Sequence, residues 1–458
     1  MKLWDGRFKE KTDPIMERFS ASIHFDWVLF RQDIEGSKAH ADMLERIGIL
    51  TSEERDAIKN GLDRIKEEIE KGEFTFTSSL EDIHMHIESR LIEMIGDVGR
   101  KLHTGRSRND QISLDMRLFL KERVGEIENN LLNLLRIIID RAQRDKEAIM
   151  PGYTHMQRAQ VVTFGHYIMA YYFMLKRDLE RLKGMKKNLD VLPLGSGAIA
   201  GSTIPLDREY VRERLGFTDI SANSMDTVSD RDFCLDAVYS VAMIMLHLSR
   251  LSEDLIIFST QEFSFISLPD RLCTGSSLMP HKKNPDSLEL VRGKAARVIG
   301  DLFSLFTLLK GLPMTYNRDM QEDKEPLFHA LDTVMESLVI MGLCIKEMDI
   351  NTQKMQEAAF SSYMPAVEMT EYLVLKGIPF RDAHAIVGKM VRECENRGIP
   401  LYKMDIDDMR LFSSVFDEDV YGYIEPDNIL RNRKTIGAAS FDEVERLIER
   451  EKAYLNSF

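Results

Sequence analysis

Five long stretches of this chain keep one apolar period for far longer than an ordinary helix. From Asp110 to Asp145, apolar residues recur at Ile112, Met116, Phe119, Val124, Ile127, Leu131, Leu134 and Ile138. That spacing places them on one face of an α-helix. The same period predicts helices over Ala159–Asn188, Asp230–Phe258, Pro285–Lys310 and Glu325–Lys346. All are well beyond the mean helix of about 11–12 residues, and at 1.5 Å per residue they would span roughly 35–55 Å. Few segments alternate as strands do. The expected fold is therefore all-α, a central bundle of five long helices flanked by smaller helical N- and C-terminal domains. The boundaries are expected at 1–104, 105–350 and 351–458. In the last of these, Val374–Asn396 reads as two helices around the Gly377-Ile378-Pro379 turn, and Phe441–Leu455 as a closing helix. The Asp230–Phe258 segment carries apolar residues, Leu246 among them, on more than one face. Such a helix is expected to be buried all round, at the centre of a single bundle or between subunits.

Charge and cysteine usage exclude several function classes. The net charge of −14, from 75 acidic and 61 basic residues, disfavours nucleic acid or an anionic membrane as the main partner. An anion site in such a chain has to be locally basic. Cys234, Cys273, Cys344 and Cys394 form no CxxC pair or metal spacing and read as scattered reduced thiols. The start, Met1-Lys2-Leu3-Trp4-Asp5, does not resemble a signal peptide, and no uninterrupted apolar run of spanning length stands out. A soluble, cytoplasmic protein with no membrane or nucleic-acid partner is expected.

The unusual polar strings lie between the long helices. Thr274–Pro285 reads TGSSLMPHKKNP and leads into the fourth helix, with Asn284 as its cap and Pro285 at its first position. Free N–H groups and the helix dipole make such a place suitable for an anion, although the same composition also suits a plain surface loop. Lys101–Gln111 reads KLHTGRSRNDQ. Its arginines suit a carboxylate ligand, while Arg106 alone reads as a solvated turn residue. Pro151–Gln160, PGYTHMQRAQ, places Thr154 and His155 in a loop before a helix, where an acid–base or orienting role competes with a structural one. Arg231 in Ser229–Phe233 (SDRDF) reads most simply as a salt-bridged helix start. Tyr316–Lys324 (YNRDMQEDK) reads as a hydrophilic turn in which Lys324 could meet a carboxylate. His84 and His86, in EDIHMH, point apart on one helix. Neither a metal nor a cofactor is expected.

In order, Gly275, Ser276, Ser277, Met279, Pro280, Lys282, Asn284 and Pro285 match the signature GSSxMPxKxNP without a gap, and the chain resembles the fumarase/aspartase superfamily. The strings HTGRSRND, PGYTHMQRAQ, SDRDF and YNRDMQEDK, together with LWDGRF at the start, Phe19–Ile23, EDIH and FRDAHAIVG at Phe380–Gly388, make it similar to the argininosuccinate lyase family within it. Asp5, His281 and Val367-Glu368 stand where that family more often has Gly, Gln and Thr-Asp. Adenylosuccinate lyase-like chemistry, or reuse of the fold as a lens crystallin, are the competing readings.

The resemblance implies reversible β-elimination of argininosuccinate to arginine and fumarate, a step of arginine biosynthesis, through an aci-carboxylate carbanion. It implies Ser276 as base and a stabilising role for Lys282 and Asn284 beside the loop amides. His155, next to Thr154 and paired with Glu289, is implied as proton donor or organiser. Arg108, Asn109, Tyr316, Gln321 and Lys324 are implied as substrate-binding, as are Ser22 and Arg231. It further implies a homotetramer in which three subunits share each active site.

Overall fold

The computed structural model describes residues 10, 12–361 and 363–458. The string LWDGRF and Asp5 lie outside the described residues. The fold is all-α. The long helices run Arg108–Arg144, Phe164–Leu189, Asp232–Ser259, Asp286–Leu309 and Lys324–Glu347, within two residues of expectation at every end but one. That exception is the start of the second helix. Gln157–Thr163 is a strand, paired antiparallel with Ile149–Thr154 as a hairpin. The Ala-Gln-Val-Val-Thr run is β-branched at its end, and Phe164 is where the helical period takes over. The fourth helix begins at Asp286, one residue later than read, because the Pro285 carbonyl accepts from the Glu289 N–H at 3.1 Å.

The chain divides into two compact units. The first comprises Met1–Glu128, Glu180–Met243 and Ala296–Met335; the second comprises Asn129–Leu179, Ile244–Ala295 and Glu336–Phe458. In the first unit, the helices Phe30–Arg46, Ser52–Glu70 and Ile83–Ile95 bury Ile34, Leu44, Ile58, Leu62, Ile87 and Leu91. Thr51 closes a capping box with Glu54 at the head of the second of these. Arg117, on the first long helix, lies 4.2 Å over the Phe233 ring and donates to Asn188 O at 2.8 Å. Phe119 packs edge-on to Phe328 at 4.9 Å. These contacts set the long-helix segments of this unit side by side.

In the second unit, Tyr171 donates to Asp254 at 2.6 Å, and Arg141 donates to the Met348 carbonyl at 2.6 Å. The helices Ala366–Leu375 and Phe380–Arg397 flank the Gly377 turn, the first beginning well before the expected Val374. They share a core of Met369, Leu373, Met390, Met409 and Phe416 with the segments that follow. Phe441–Leu455 closes the chain, capped by Ser440.

Two apolar features differ from the sequence reading. Leu246 and Tyr239, on the third long helix, are exposed while Val238, Val241, Ile244 and Met245 are buried. That helix is not buried on all sides within one chain. Arg318–Glu347 holds an 18-residue window apolar enough by length and composition to cross a membrane, a run that did not stand out in the sequence. Leu327, Ala330, Leu331 and Val334 from it are fully buried in the protein, so its apolarity is that of a core helix.

Asp110 accepts N–H bonds from Gly195 at 3.0 Å and Gly197 at 2.8 Å, which pins the 195–201 loop beside the start of the first long helix. Gly197 has φ 61°, and a Cβ there would lie 2.8 Å from the Gly201 carbonyl oxygen. Replacing Gly197 with Ala should therefore destabilise the protein by about 1–3 kcal/mol. Thermal melting of the variant checks this, and an unchanged midpoint would show that the loop can relax.

Candidate active site

The residues singled out from the sequence fall into two sets. Ser22, Arg108, Asn109, Arg231, Tyr316, Gln321 and Lys324 all belong to the first unit. Thr154, His155, Ser276, Lys282, Asn284 and Glu289 all belong to the second.

In the first unit the organising segment is Glu81–His84. Glu81 has φ 63°, a conformation that side-chain-bearing residues adopt at a cost. Its carbonyl accepts from the Ser22 N–H at 2.9 Å and the Ile23 N–H at 3.1 Å. Its carboxylate lies 2.6 Å from Arg318. Arg318 and Gln321 both donate to the Ser20 carbonyl, at 2.7 and 3.2 Å. Asp82 caps the Ile83–Ile95 helix through the Met85 N–H at 2.7 Å and accepts from Arg108 at 3.1 Å. The Ile83 N–H donates to Asp26 at 3.1 Å, and the buried Ser22 hydroxyl donates to the same carboxylate at 2.5 Å. Asn109 reaches the Ala198 carbonyl at 3.3 Å on the loop pinned by Asp110.

Arg231 is not bridged to the side chains of its neighbours Asp230 and Asp232. It is buried, its Nε donates to Asp323 at 2.5 Å, and its Nη1 donates to the Asp230 carbonyl at 2.7 Å. Lys324 donates to the other oxygen of Asp323 at 2.9 Å. Burial alone would raise the Asp323 carboxyl, but Lys324 and Arg231 together hold it below the ordinary carboxylate range. Tyr316 and Gln321 are half-buried on the same connection. Arg106 differs from expectation. It is buried rather than solvated, and it donates to Ser37 at 2.9 Å.

In the second unit the GSS segment is a loop closed at its base by a short antiparallel pair, Thr274–Gly275 with Lys283–Asn284. Within it, Ser276 Oγ accepts from the Met279 N–H at 3.0 Å and the Leu278 N–H at 3.3 Å. The two lysines are not equivalent. Lys283 is tied to the Leu268 carbonyl at 2.6 Å and to Asp270 at 2.7 Å, whereas Lys282 is exposed and makes no side-chain hydrogen bond or ion pair among the described residues. The following helix carries Asp286 and Glu289 in its first turn. Carboxylates therefore already face the positive end of its dipole, which weakens the expectation of an anion bound there by the helix alone.

His155 occupies the tip of the hairpin, not a loop leading directly into a helix. His155 and Met156 have φ 54° and 58° between the paired residues Thr154 and Gln157. This is the two-residue turn in which Asn-Gly is ordinarily favoured. His155, Thr154 and Glu289 are exposed, and His155 and Glu289 share no hydrogen bond or ion pair among the described residues.

Residues 6–300 match the family model described as lyase, and residues 363–431 match that of the argininosuccinate lyase C-terminal region. An argininosuccinate lyase of Syntrophotalea carbinolica is 50% identical over 98% of this chain and 97% of its own length. One from Caldanaerobacter subterraneus subsp. tengcongensis is 52% identical over 96% of this chain and 99% of its own. The chain belongs to the argininosuccinate lyase family. Among solved structures, EDDS lyase in complex with formate superimposes with a TM-score of 0.87 at 27% identity, over 98% of this chain and 91% of that one.

Several residues of this lyase that hold the site together were not found from the sequence. Asp26 and Asp323 gave no signal: Asp26 sits alone among apolar residues, and Asp323 is one of three acids in YNRDMQEDK. Asp33, His84 and Asp115, from three different helices, bring ligand atoms within 4.8 Å of one another. Among the described residues they are a group that could hold a metal ion, and it does not include His86. His84 Nδ1 lies 3.3 Å from both carboxylates. The Arg106 guanidinium bears on Asp115 electrostatically, so positive charge faces these acids without an ion. His86 turns away, accepting from the Thr77 N–H at 2.9 Å.

The Asp26 carboxyl is pushed up to about 6 by burial and then by Asp82, against the pull of Ser22 and Lys324. Unfolded, it titrates near ~3.9. The native state thus holds this proton more tightly, and the associated stability is present below about pH 4 and lost as pH rises through 6. The stability of the native protein relative to Asp26→Asn should fall between pH 4 and 7, by about 3 kcal/mol at most. Paired melting curves across that range test it, and a pH-independent difference would contradict it.

Proposed function

We propose that the protein is an argininosuccinate lyase that splits argininosuccinate into arginine and fumarate, a step of arginine biosynthesis, without a metal or cofactor. The observation that carries the mechanism is the pair of loop N–H groups aimed at Ser276 Oγ. A serine hydroxyl is a weak base, and donors on its oxygen favour the alkoxide. Ser276 takes the proton from the carbon beside a carboxylate. The electron pair first spreads onto that carboxylate, giving an aci-carboxylate dianion, and then forms the double bond as the guanidino nitrogen leaves. Lys282, with Asn284 and loop amides, stabilises the dianion where its charge develops. The tethering of Lys283 to Asp270 leaves Lys282 as the lysine of the pair that can reach a substrate.

His155 delivers or organises the proton for the leaving nitrogen, with Thr154 beside it and Glu289 as its carboxylate partner. Strain at the hairpin tip supports a functional position. Ser22, Arg108, Asn109, Arg231, Tyr316, Gln321 and Lys324 bind the substrate, whose carboxylates, amino group and guanidinium need contacts of both signs. The working assembly is a cytoplasmic homotetramer in which three subunits contribute to each site, so His155 and Glu289 meet across subunits. Leu246, Leu290, Phe303, Phe306 and Val339 on the long helices are exposed, and large apolar side chains left at a surface suit contacts with further copies of the chain. Its functional segments are the N-terminal domain over 1–104, the bundle over 105–350 and the C-terminal domain over 351–458.

Purified protein given argininosuccinate should release fumarate, followed by its ultraviolet absorbance. Ser276→Ala should lower kcat by roughly 10²–10⁴-fold. Lys282→Met should show a loss of similar order and Lys283→Met a much smaller one. Equal losses for the two lysine variants would remove the distinction between them, a larger loss at Lys283 would reverse it, and a folded native protein that releases no fumarate would refute the reading.

A further inference from the structure

In the first unit, two buried cations share one buried carboxylate. Asp323 is fully buried; its Oδ2 accepts from Arg231 Nε at 2.5 Å and its Oδ1 from Lys324 Nζ at 2.9 Å. Both basic side chains are themselves almost completely buried. The other groups around them are few. Asp26 acts on Lys324 electrostatically from the Ile23–Asp26 turn, itself held by Ser22 and the Ile83 N–H. Cys234 and Tyr316 lie within electrostatic reach of Arg231. Asp230 is turned to Arg117. A buried ion pair kept only for folding would balance one cation with one anion, because an uncompensated buried charge is strongly destabilising. Here Asp323 alone hydrogen-bonds both cations, Asp26 reaching Lys324 only electrostatically, and among the described residues Arg231 Nη2 is buried with no hydrogen-bond partner. The spare guanidinium donor and the unused ammonium donors of Lys324 suit an anion from outside the chain, and the substrate brings carboxylates.

We propose that Asp323 is the positioning residue of this half of the site. It fixes Lys324 and Arg231 so that their remaining donors receive one substrate carboxylate. This rests on the reading of Lys324 and Arg231 as substrate-binding residues. Asp323 touches no substrate itself. Its two oxygens are both occupied, and the planar guanidinium, held through Nε by Asp323 and through Nη1 by the Asp230 carbonyl, keeps Nη2 as its unused nitrogen. Lys324 opens the fifth long helix directly after Asp323, so the carboxylate also sets where that helix presents its first side chain.

The test uses inhibition by each product, because a carboxylate received at this point belongs to either the fumarate or the arginine half. Inhibition constants for fumarate and for arginine are measured on the native enzyme, Asp323→Asn and Lys324→Met, with melting midpoints alongside. Asp323→Asn should weaken one product at least tenfold and leave the other within about twofold, and Lys324→Met should weaken the same product. A general loss of structure would weaken both and lower the melting midpoint, which would overturn the proposal, as would Asp323→Asn leaving both constants unchanged while Lys324→Met weakens one. If Lys324→Met moves neither constant, the substrate-binding reading of Lys324 fails instead, and the proposal with it. If Asp323→Asn does not fold, Asp323→Glu decides. It keeps the charge but displaces it, and should raise KM for argininosuccinate at least fivefold with kcat changed less than twofold. Native KM in that variant would overturn the proposal.

Discussion

A carboxylate taken out of water has to find positive charge or hydrogen-bond donors, and in this chain the donors lie far away in sequence. Asp323 is met by Arg231, 92 residues earlier, and Asp26 by the Ile83 N–H, 57 residues later. Asp110 is met by the Gly195 and Gly197 amides, more than 80 residues on. In the first unit each of these demands is met by a partner from a distant segment. That arrangement brings Ser22, Arg108 and Lys324 into a connected set of contacts. Strain at Glu81 belongs to the same scheme: its carbonyl and carboxylate hold the Ser22 turn and Arg318 together.

The second unit reaches its site by a different means. Lys282 and His155 are exposed and Ser276 is only half-buried, so turn geometry places them rather than burial. The loop around Ser276 folds back so that its own amides meet the hydroxyl, while its base is closed by two backbone-paired residues on each side and by Lys283 on Asp270. Loops held on a rigid scaffold commonly carry reactive groups. An exposed loop of this kind can also close over a ligand. The first unit thus holds its charged groups by burial, and the second presents the groups proposed to do the chemistry by turn geometry.

The long helices were legible because an apolar period sustained over more than twenty residues fits an amphipathic helix and little else. The pair around Gly377 was legible from its Gly377-Ile378-Pro379 turn, and Phe441–Leu455 as a shorter closing helix. The hairpin at Ile149–Thr163 was not. Its strands are short, Val161 and Val162 fit a helical face as well as a strand, and only pairing across Pro151 and Val161 decides between them. Among site residues, the ordered strings singled out Ser276 and Arg108. Nothing in the string around Arg106 revealed that Ser37 would bury it, and nothing in YNRDMQEDK distinguished Asp323 from Asp319.

The sequence by itself determined the helical fold, since local periodicity and capping act between residues a few positions apart. It also determined the family, because a contiguous signature is read without any tertiary contact. Only the tertiary structure decided which acids are buried, which arginine is solvated, which lysine of the pair is tethered and where His84 meets Asp33 and Asp115. Those outcomes depend on desolvation and on partners brought together from distant segments, and neither is a property of any short stretch of chain.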